Sequence, residues 1–203
     1  MESVPLTTSD GHELAADLLC ADGPTVGGVV VCHPHPQHGG NRFNPIVDAI
    51  WRTLPGHGWT AIRFDFRAEF DHGVGERLDV VAAIDEIERR VDGPIVVVGY
   101  SFGAIVGLAT ADERVAATVA VAPPLTAMPI DPPRSPALAI IPRHDQFTAP
   151  EAAAAVVADW PDVGIEVIES TDHFLVGRAA FVAETAARWL AERFPPSNDP
   201  PAD

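Results

Sequence analysis

Residues 94–109 read PIVVVGYSFGAIVGLA and join two kinds of structure across a short glycine-rich turn. The first half, 94–98, is a continuous apolar run rich in β-branched residues, which predicts a strand buried on both faces of a sheet. The second half contains small and apolar residues and predicts a helix. Ser101 stands between them, flanked by Gly99 and Gly103 in a Gly-x-Ser-x-Gly pattern. The stretch therefore predicts a strand, a tight turn and a helix, with a serine at the turn.

The position of Ser101 indicates a nucleophile. Two flanking glycines allow the strand and the helix to approach closely, and the residue between them is held in a strained backbone conformation with its hydroxyl exposed. The N–H groups at the start of the following helix favour negative charge at the same place. A turn built only for close packing would explain the glycines but not the serine. A dinucleotide site would need Gly-x-Gly-x-x-Gly, whereas the glycines here recur every four residues, at 99, 103 and 107.

The rest of the chain alternates strands and helices around this stretch. The predicted strands are a hairpin over 4–20 and single strands over 26–32, 59–66, 94–101, 115–121, 137–141 and 164–169. The predicted helices cover 44–54, 75–91, 102–110, 149–159 and 178–193. Continuous apolar strands that alternate with helices are typical of a mainly parallel sheet covered on both faces, in which ligands bind at the carboxyl ends of the strands.

Length and composition predict one domain over 1–194, followed by a disordered tail over 195–203. A net charge of −16 disfavours nucleic acid and an anionic membrane surface as partners. No apolar run reaches the roughly 18 residues of a membrane helix, and the first residues do not have the pattern of a signal peptide, so we expect a cytoplasmic protein. The chain contains no lysine, which excludes Schiff-base and P-loop chemistry. Cys20 and Cys32 are predicted as reduced, buried thiols.

A serine nucleophile needs a base, and the base needs a third group to orient it. Two histidines follow Ser101, and His173 is favoured because it lies on a loop between the last strand and the last helix. His144 is adjacent to Asp145, and neighbouring strand residues point to opposite faces. Asp145, at the end of a strand, is the predicted orienting acid. The other candidate acids are Asp172, Asp131 and Glu169. Purely structural roles, a helix cap for His173 and a helix N-terminal acid for Asp145, remain possible at this point.

Three motifs in this order resemble the α/β-hydrolase superfamily, and most closely its small lid-less members related to dienelactone hydrolases and bacterial esterases. They are HPHPQHGG at 33–40, GYSFG at 99–103, and the pair RHDQF and STDHF at 143–147 and 170–174. The resemblance extends from about residue 12 to 194. It implies that the loop after the first buried strand supplies part of an oxyanion hole.

An oxyanion hole needs two N–H donors. The Phe102 amide, directly after Ser101, is one predicted donor. The His35 amide is the other, by resemblance and because Pro34 and Pro36 have no N–H. His33 is then expected to hold the shape of the loop. A metal site built from the histidines of this loop is the alternative interpretation, although no carboxylate or further cysteine lies near them in sequence.

The resemblance also bears on the substrate. Segment 122–136, where many relatives insert a lid, is short and proline-rich, which predicts an open site. Relatives carry a glycine-rich loop after the next strand, whereas this chain has FRAEFDHG at 66–73, and this departure leaves the specificity open. The side chains proposed for an apolar substrate-binding rim are Leu125, Met128, Phe147 and Phe174, with Phe102 beside them.

These observations predict a serine hydrolase of the carboxylesterase type that acts on small to medium esters without a cofactor or metal. Ser101, His173 and Asp145 would be the catalytic residues, and the partner would be a small-molecule acyl substrate. Thioesterase, peptidase and lactone hydrolase activities would use the same residues. A binding or scaffold protein that keeps the fold without catalysis is the main alternative, and a metal-dependent protein that uses the 33–38 loop is another.

Overall fold

Eight strands form one sheet in the computed structural model, which describes residues 1–195. Their order across the sheet is β1-β2-β4-β3-β5-β6-β7-β8. The pairs β1–β2 and β2–β4 are antiparallel, and every other pair is parallel. The strands are β1 Glu2–Thr7, β2 Glu13–Leu19, β3 Gly27–Cys32, β4 Trp59–Phe64, β5 Ile95–Tyr100, β6 Val115–Val121, β7 Ala137–His144 and β8 Val163–Asp172.

Helices cover both faces of this sheet, as the apolar strands require. Alternate residues of β3 point to opposite faces: Val29 and Val31 pack with α1 and α5, whereas Val30 and Cys32 pack with α2. The helices α3 and α4 lie on the same face as α2. The helices are α1 Pro45–Thr53, α2 Val74–Glu88, α3 Phe102–Ala109, α4 Pro150–Val157 and α5 Ala179–Arg193.

The α/β architecture predicted from the sequence is present, and each predicted strand and helix is found with its bounds shifted by a few residues. Two elements are longer than predicted, because β7 continues to His144 and β8 continues to Asp172. Segment 122–136 contains neither helix nor strand, so no large lid is inserted at this position of the described chain. The predicted disordered tail, apart from Pro195, lies outside the described residues.

The two cysteines differ in their surroundings. Cys32 is fully buried in β3, and burial raises the pKa of its thiol. The prediction that both thiols are buried is wrong for Cys20, which is exposed just beyond the end of β2. Within the described residues, every helix falls short of the length or the apolarity that crossing a bilayer would require.

The carboxyl ends of four parallel strands bring four loops to one edge of the sheet. The histidine-rich loop follows β3, Ser101 follows β5, Asp145 follows β7 and His173 follows β8. The order across the sheet places β5 beside β3 and β8 beside β7. Residues separated by up to 140 positions in sequence can therefore meet above this edge.

Candidate active site

Ser101 occupies a turn that only its glycine neighbours permit. Its backbone has φ 54° and ψ −114°, an unusual conformation for a residue with a side chain. A Cβ atom on Gly99 would lie 2.2 Å from the carbonyl oxygen of Gly103, and a Cβ atom on Gly103 would lie 2.5 Å from the carbonyl oxygen of His33. The Ser101 amide donates to the Val121 carbonyl over 2.8 Å, which anchors the turn to β6. The two glycines thus bring the end of β5, the start of α3 and the end of β3 into direct contact.

A chain of hydrogen bonds joins Ser101, His173 and Asp145. The Ser101 Oγ lies 2.9 Å from His173 Nε2, and His173 Nδ1 lies 2.8 Å from Asp145 Oδ2. An ionised carboxylate only accepts, so Nδ1 carries the proton and Nε2 is free to accept the serine hydroxyl proton. Both His173 and Asp145 are buried, with 5% of each residue exposed, so water competes little for these bonds.

The Asp145 carboxylate is fixed by backbone amides on its other oxygen. The amides of Phe147 and Thr148 donate to Oδ1 over 2.8 and 3.1 Å. This arrangement follows from the chain leaving β7 in a tight turn just before α4. One carboxylate oxygen therefore faces the histidine while the other is held by the protein backbone.

His173 is held at its backbone as well as at its ring. The Tyr100 hydroxyl donates to the His173 carbonyl over 3.0 Å, and the Gln146 side-chain oxygen accepts from the His173 amide over 3.4 Å. Burial raises the pKa of Tyr100 to about 12, so its hydroxyl keeps the proton that it donates. Neither contact is predicted by the sequence, although Tyr100 lies inside the GYSFG motif.

The competing acids and the competing histidine lie elsewhere. His144 is exposed at the end of β7. Asp172 accepts from the amide of Phe174 over 3.1 Å, Glu169 pairs with Arg143, and Asp131 is exposed. Within residues 1–195, none of these side chains hydrogen-bonds the His173 ring.

His33 connects two loops at the carboxyl edge. Its Nδ1 donates to the Pro34 carbonyl over 2.6 Å, and its Nε2 accepts from the Phe66 amide over 3.0 Å. Burial lowers the pKa of His33, which favours the neutral ring that this pair of bonds requires. Both nitrogens are therefore engaged in hydrogen bonds inside the protein, and His33 joins the loop after β3 to the loop after β4.

The segment that follows forms a compact 3₁₀ turn over Pro36–His38. The His35 carbonyl accepts from the Gly40 amide over 3.0 Å, and its ring packs against His38 and Phe102 at centroid distances of 4.6 and 4.8 Å. A Cβ atom on Gly40 would lie 2.0 Å from the Pro34 carbonyl oxygen, so the turn requires glycine there. Among the described residues, the amides of His35 and Phe102 donate to no protein acceptor.

The histidines of this loop do not assemble with other ligands. Across residues 1–195, no group of three His, Cys, Asp or Glu side chains is arranged to hold a metal ion. His33 uses both ring nitrogens on backbone groups, and His35 accepts from the Gln37 amide.

Two chambers of one cleft open on either side of Ser101. Both are lined by Ser101, His173, His35, His38 and Phe147. The Asn44 chamber has a volume of about 180 Å³ and is also lined by Pro34, Gly39, Gly40, Asn44, Tyr100 and Phe174. The Met128 chamber has a volume of about 160 Å³ and is also lined by Phe102, Pro124, Ala127 and Met128.

Residues 29–201 match the model of the alpha/beta hydrolase family, which covers most of the chain. The chain belongs to the alpha/beta hydrolase family. The solved structure of an alpha-beta serine hydrolase homologue from Coxiella burnetii shares 29% sequence identity with it, with a TM-score of 0.85 over 94% of this chain and 97% of that one.

Two further proteins share a lower sequence identity with this α/β hydrolase or align with only a part of it. A lid-less serine hydrolase from Xanthomonas campestris shares its fold, with 24% identity and a TM-score of 0.85 over 98% of this chain and 96% of that one. An uncharacterized protein of Rickettsia prowazekii is 33% identical over an alignment of 96 residues that covers 43% of this chain and 40% of that protein. The matched part thus spans less than half of that relative.

The apolar residues predicted for substrate binding in this α/β hydrolase fall into two groups. Met128 lines the Met128 chamber, Phe174 the Asn44 chamber and Phe147 both. Phe147 and Phe174 are 46% and 59% exposed. Leu125 is 1% exposed and packs against α3 and β7, so it does not form part of the predicted rim. Its neighbours Pro124 and Ala127 line the cleft instead, although no sequence pattern marks them as lining residues.

The unusual 66–73 loop is held by buried charge. The Arg67 guanidinium and amide both donate to Asp79 of α2, which is fully buried, and Arg67 also pairs with Asp10 over 2.8 Å. Phe70 of this loop packs on the His35 ring at 4.5 Å. The loop therefore supports the histidine turn from outside the cleft.

Proposed function

We propose that this α/β hydrolase is a serine hydrolase that acts by acyl transfer on small to medium carboxylic esters. The observation that carries the proposal is the pair of contacts at His173, 2.9 Å to the Ser101 hydroxyl and 2.8 Å to the Asp145 carboxylate. These distances are those of a serine, a base and an orienting acid that act as one unit.

In the first step Ser101 Oγ attacks the carbonyl carbon of the ester while its proton moves to His173 Nε2. The imidazolium that forms is stabilised by the Asp145 carboxylate, which stays ionised. The carbonyl oxygen becomes an oxyanion, and collapse of the tetrahedral intermediate breaks the bond to the leaving alcohol. His173 returns the proton to that alcohol, and the acyl group remains on Ser101.

The amides of His35 and Phe102 are the proposed donors to the oxyanion. Phe102 is the first residue of α3, where amides have no partner within the helix. The Gly40 and Gln37 contacts hold the shape of the turn that carries the His35 amide. Donors held in place before the reaction stabilise the developing charge without reorganising.

Hydrolysis of the acyl group repeats the sequence with water. His173 removes a proton from the water molecule, and the hydroxide attacks the acyl carbon. The second tetrahedral intermediate then breaks its bond to Ser101 and releases the acid, while His173 returns the proton to Ser101 Oγ. The open cleft and the absence of a large lid within residues 1–195 allow water to reach this position.

Two chambers of about 180 and 160 Å³ fit the acyl and alcohol parts of a small to medium ester. A thioester or an activated amide would use the same residues. A small-molecule substrate, and no nucleic acid or membrane partner, agrees with the net charge of −16. The cytoplasmic location remains a prediction from the sequence.

The test is covalent labelling. A fluorophosphonate probe should modify the purified chain at a single position, which peptide mass spectrometry should assign to Ser101. The unchanged chain should hydrolyse p-nitrophenyl acetate and butyrate, and Ser101→Ala should abolish labelling and lower kcat on the order of 10⁴-fold or more.

His173→Ala should be as severe as Ser101→Ala, while the exposed His144→Ala serves as the matched control and should keep most of the activity. Equal losses in the two histidine variants would refute the assignment of the base. If the unchanged chain neither labels nor hydrolyses these esters, the non-catalytic alternative is favoured instead.

A further inference from the structure

A groove continues from the Met128 chamber along α3 and ends beside two arginines. Met128 lines both that chamber and a second cavity of about 260 Å³. Arg77, Ala109 and Ile130 line both this second cavity and a third one of about 320 Å³. The three cavities follow α3 from its first residue, Phe102, to its last, Ala109.

The dimensions of the groove suit an extended chain. The helix α3 has 8 residues, which corresponds to a length of about 12 Å. The middle of the groove is lined by apolar residues of α3 (Ile105, Val106) and of segment 122–136 (Met128, Pro129, Ile130), and also by His72, Gly73 and Arg77. An apolar chain that starts at Ser101 could lie along this groove and reach its far end.

The far end carries positive charge that the protein itself does not neutralise. Most arginines of the chain are paired with carboxylates, but Arg77 and Arg134 form no ion pair among residues 1–195. Both line the third cavity. Arg77 donates from Nε to the Gly73 carbonyl over 3.1 Å, and its terminal nitrogens have no protein acceptor in the described residues.

The balance of charge in the third cavity is that of a site for one negative charge. Asp131 lines the same cavity as Arg77 and Arg134, so the charges of these three side chains sum to one net positive charge. Elsewhere the chain is strongly acidic, with a net charge of −16. An anion would therefore be repelled from most of the surface and attracted here.

We propose that the Arg77–Arg134 cavity binds the terminal carboxylate of a substrate whose ester group lies at Ser101 and whose apolar chain fills the groove. The proposal rests on the proposed esterase function and specifies its substrate class as medium-chain esters that end in a carboxylate. Guanidinium groups bind carboxylates through paired, charge-assisted hydrogen bonds. A dianionic phosphate would meet only one net positive charge and an opposing Asp131.

A purely structural role for the two arginines makes a different prediction. Cations near the carboxyl end of a helix interact favourably with its dipole, and the third cavity includes Ala109 at that end of α3. In that case the arginines would affect stability but not the choice between charged and neutral substrates. The preference for a charged substrate is therefore the decisive measurement.

The experiment compares kcat/KM for the p-nitrophenyl monoester of sebacic acid with kcat/KM for p-nitrophenyl decanoate, which has a chain of equal length without the carboxylate. The unchanged chain should prefer the carboxylate by on the order of tenfold. The preference should disappear in Arg77→Gln and Arg134→Gln, and should weaken at high salt. The acetate ester of a long ω-hydroxy acid tests whether the carboxylate belongs to the alcohol part rather than the acyl part.

The matched control is Arg178→Gln, because Arg178 also lacks an ion pair among residues 1–195 but does not line the groove. It should keep the full preference, and all three variants should hydrolyse p-nitrophenyl acetate at the unchanged rate. Equal kcat/KM for the two long substrates, or an equal loss in Arg178→Gln, would overturn the proposal.

Equilibrium binding separates the failure of this proposal from failure of the esterase function. Monomethyl sebacate should bind the Ser101→Ala variant more tightly than methyl decanoate does, and Arg77→Gln in that background should remove the difference. If no ester is hydrolysed but this difference is observed, the carboxylate site stands without the chemistry. If esters are hydrolysed and no difference is observed, the site is refuted while the esterase remains.

Discussion

The Tyr100 hydroxyl donates a hydrogen bond to the His173 carbonyl over 3.0 Å, and the two rings lie 5.9 Å apart at an angle of 29°. The next residue, Ser101, contacts the same histidine through its ring. Two consecutive residues at the end of β5 thus hold the two ends of His173, its backbone and its imidazole. Because the Tyr100 hydroxyl donates to the His173 backbone rather than to Ser101 or the His173 ring, we expect Tyr100 to act as a positioning residue.

Tyr100→Phe should lower kcat on the order of tenfold and leave KM nearly unchanged. The substitution keeps the ring but leaves the buried His173 carbonyl without this donor, which loosens the loop that carries the proposed base. Steady-state kinetics with p-nitrophenyl acetate measures the effect, and circular dichroism checks that the fold is kept. A KM effect with constant kcat would show that Tyr100 acts on substrate binding instead.

Asp145→Asn should lower kcat on the order of 10³- to 10⁴-fold. The Phe147 and Thr148 amides would hold the new side chain in place, but an amide cannot stabilise the imidazolium as a carboxylate does. Asp172→Asn is the matched control, since Asp172 is exposed and its side chain hydrogen-bonds only the Phe174 amide among the described residues. Kinetics of the two variants side by side would reveal the acid, and a larger loss in Asp172→Asn would contradict the assignment.

His33 should make the fold sensitive to mild acid. Burial lowers its pKa in the folded chain, so below its ordinary value of about 6.5 the unfolded chain binds a proton that the folded chain does not. This contribution to the free energy of unfolding is complete above that pH and is lost as pH falls through the folded pKa. Denaturant titrations between about pH 5 and about pH 7.5 measure the slope.

His33→Leu should flatten that slope and reduce stability at neutral pH, because the Phe66 amide and the Pro34 carbonyl lose their partner. The control is His144→Leu, at an exposed position whose side chain makes no hydrogen bond among the described residues. An identical pH dependence in the unchanged chain and in His33→Leu would contradict the prediction.

Gly103→Ala should lower the free energy of unfolding by about 1–3 kcal/mol and should also reduce esterase activity. The added Cβ would lie 2.5 Å from the His33 carbonyl oxygen and 2.6 Å from the Cys32 carbonyl oxygen, and both are backbone atoms at the end of β3. Gly23→Ala is the matched control, because nothing lies within 4 Å of its added Cβ. Thermal unfolding and esterase assays on both variants test whether the close approach at Gly103 is required.

The sequence predicts the fold well because its signals are local. The apolar run before Gly99 and the small-residue helix after Gly103 lie in one stretch of sequence. The glycines that the tight turn needs for steric reasons are visible in the same stretch. The placement of Ser101, Asp145 and His173 directly after strands also follows from the sequence once the strands are assigned. Their hydrogen bonds then follow from the meeting of strand ends at one edge.

The remainder depends on long-range contacts that no local pattern records. The Tyr100 contact spans 73 positions, and the pairing of the Phe66 amide with His33 spans 33. The predicted position of Leu125 on the rim is wrong because an apolar residue beside the cleft has the same sequence pattern whether its side chain faces the cleft or the core. Arg77 and Arg134, which line the groove and lack carboxylate partners among residues 1–195, can be recognised only once the partners of the other arginines are known.

The position of β8 at the edge of the sheet affects how the protein would lose activity as it begins to unfold. β8 pairs with β7 alone, and it leads directly into His173, whereas Ser101 follows the central strand β5. Outer strands detach at lower free energy than the interior of a sheet. Mild denaturant should therefore abolish activity while most of the secondary structure persists. A fall in turnover would then be an early sign that the edge of the sheet at β8 has unfolded locally.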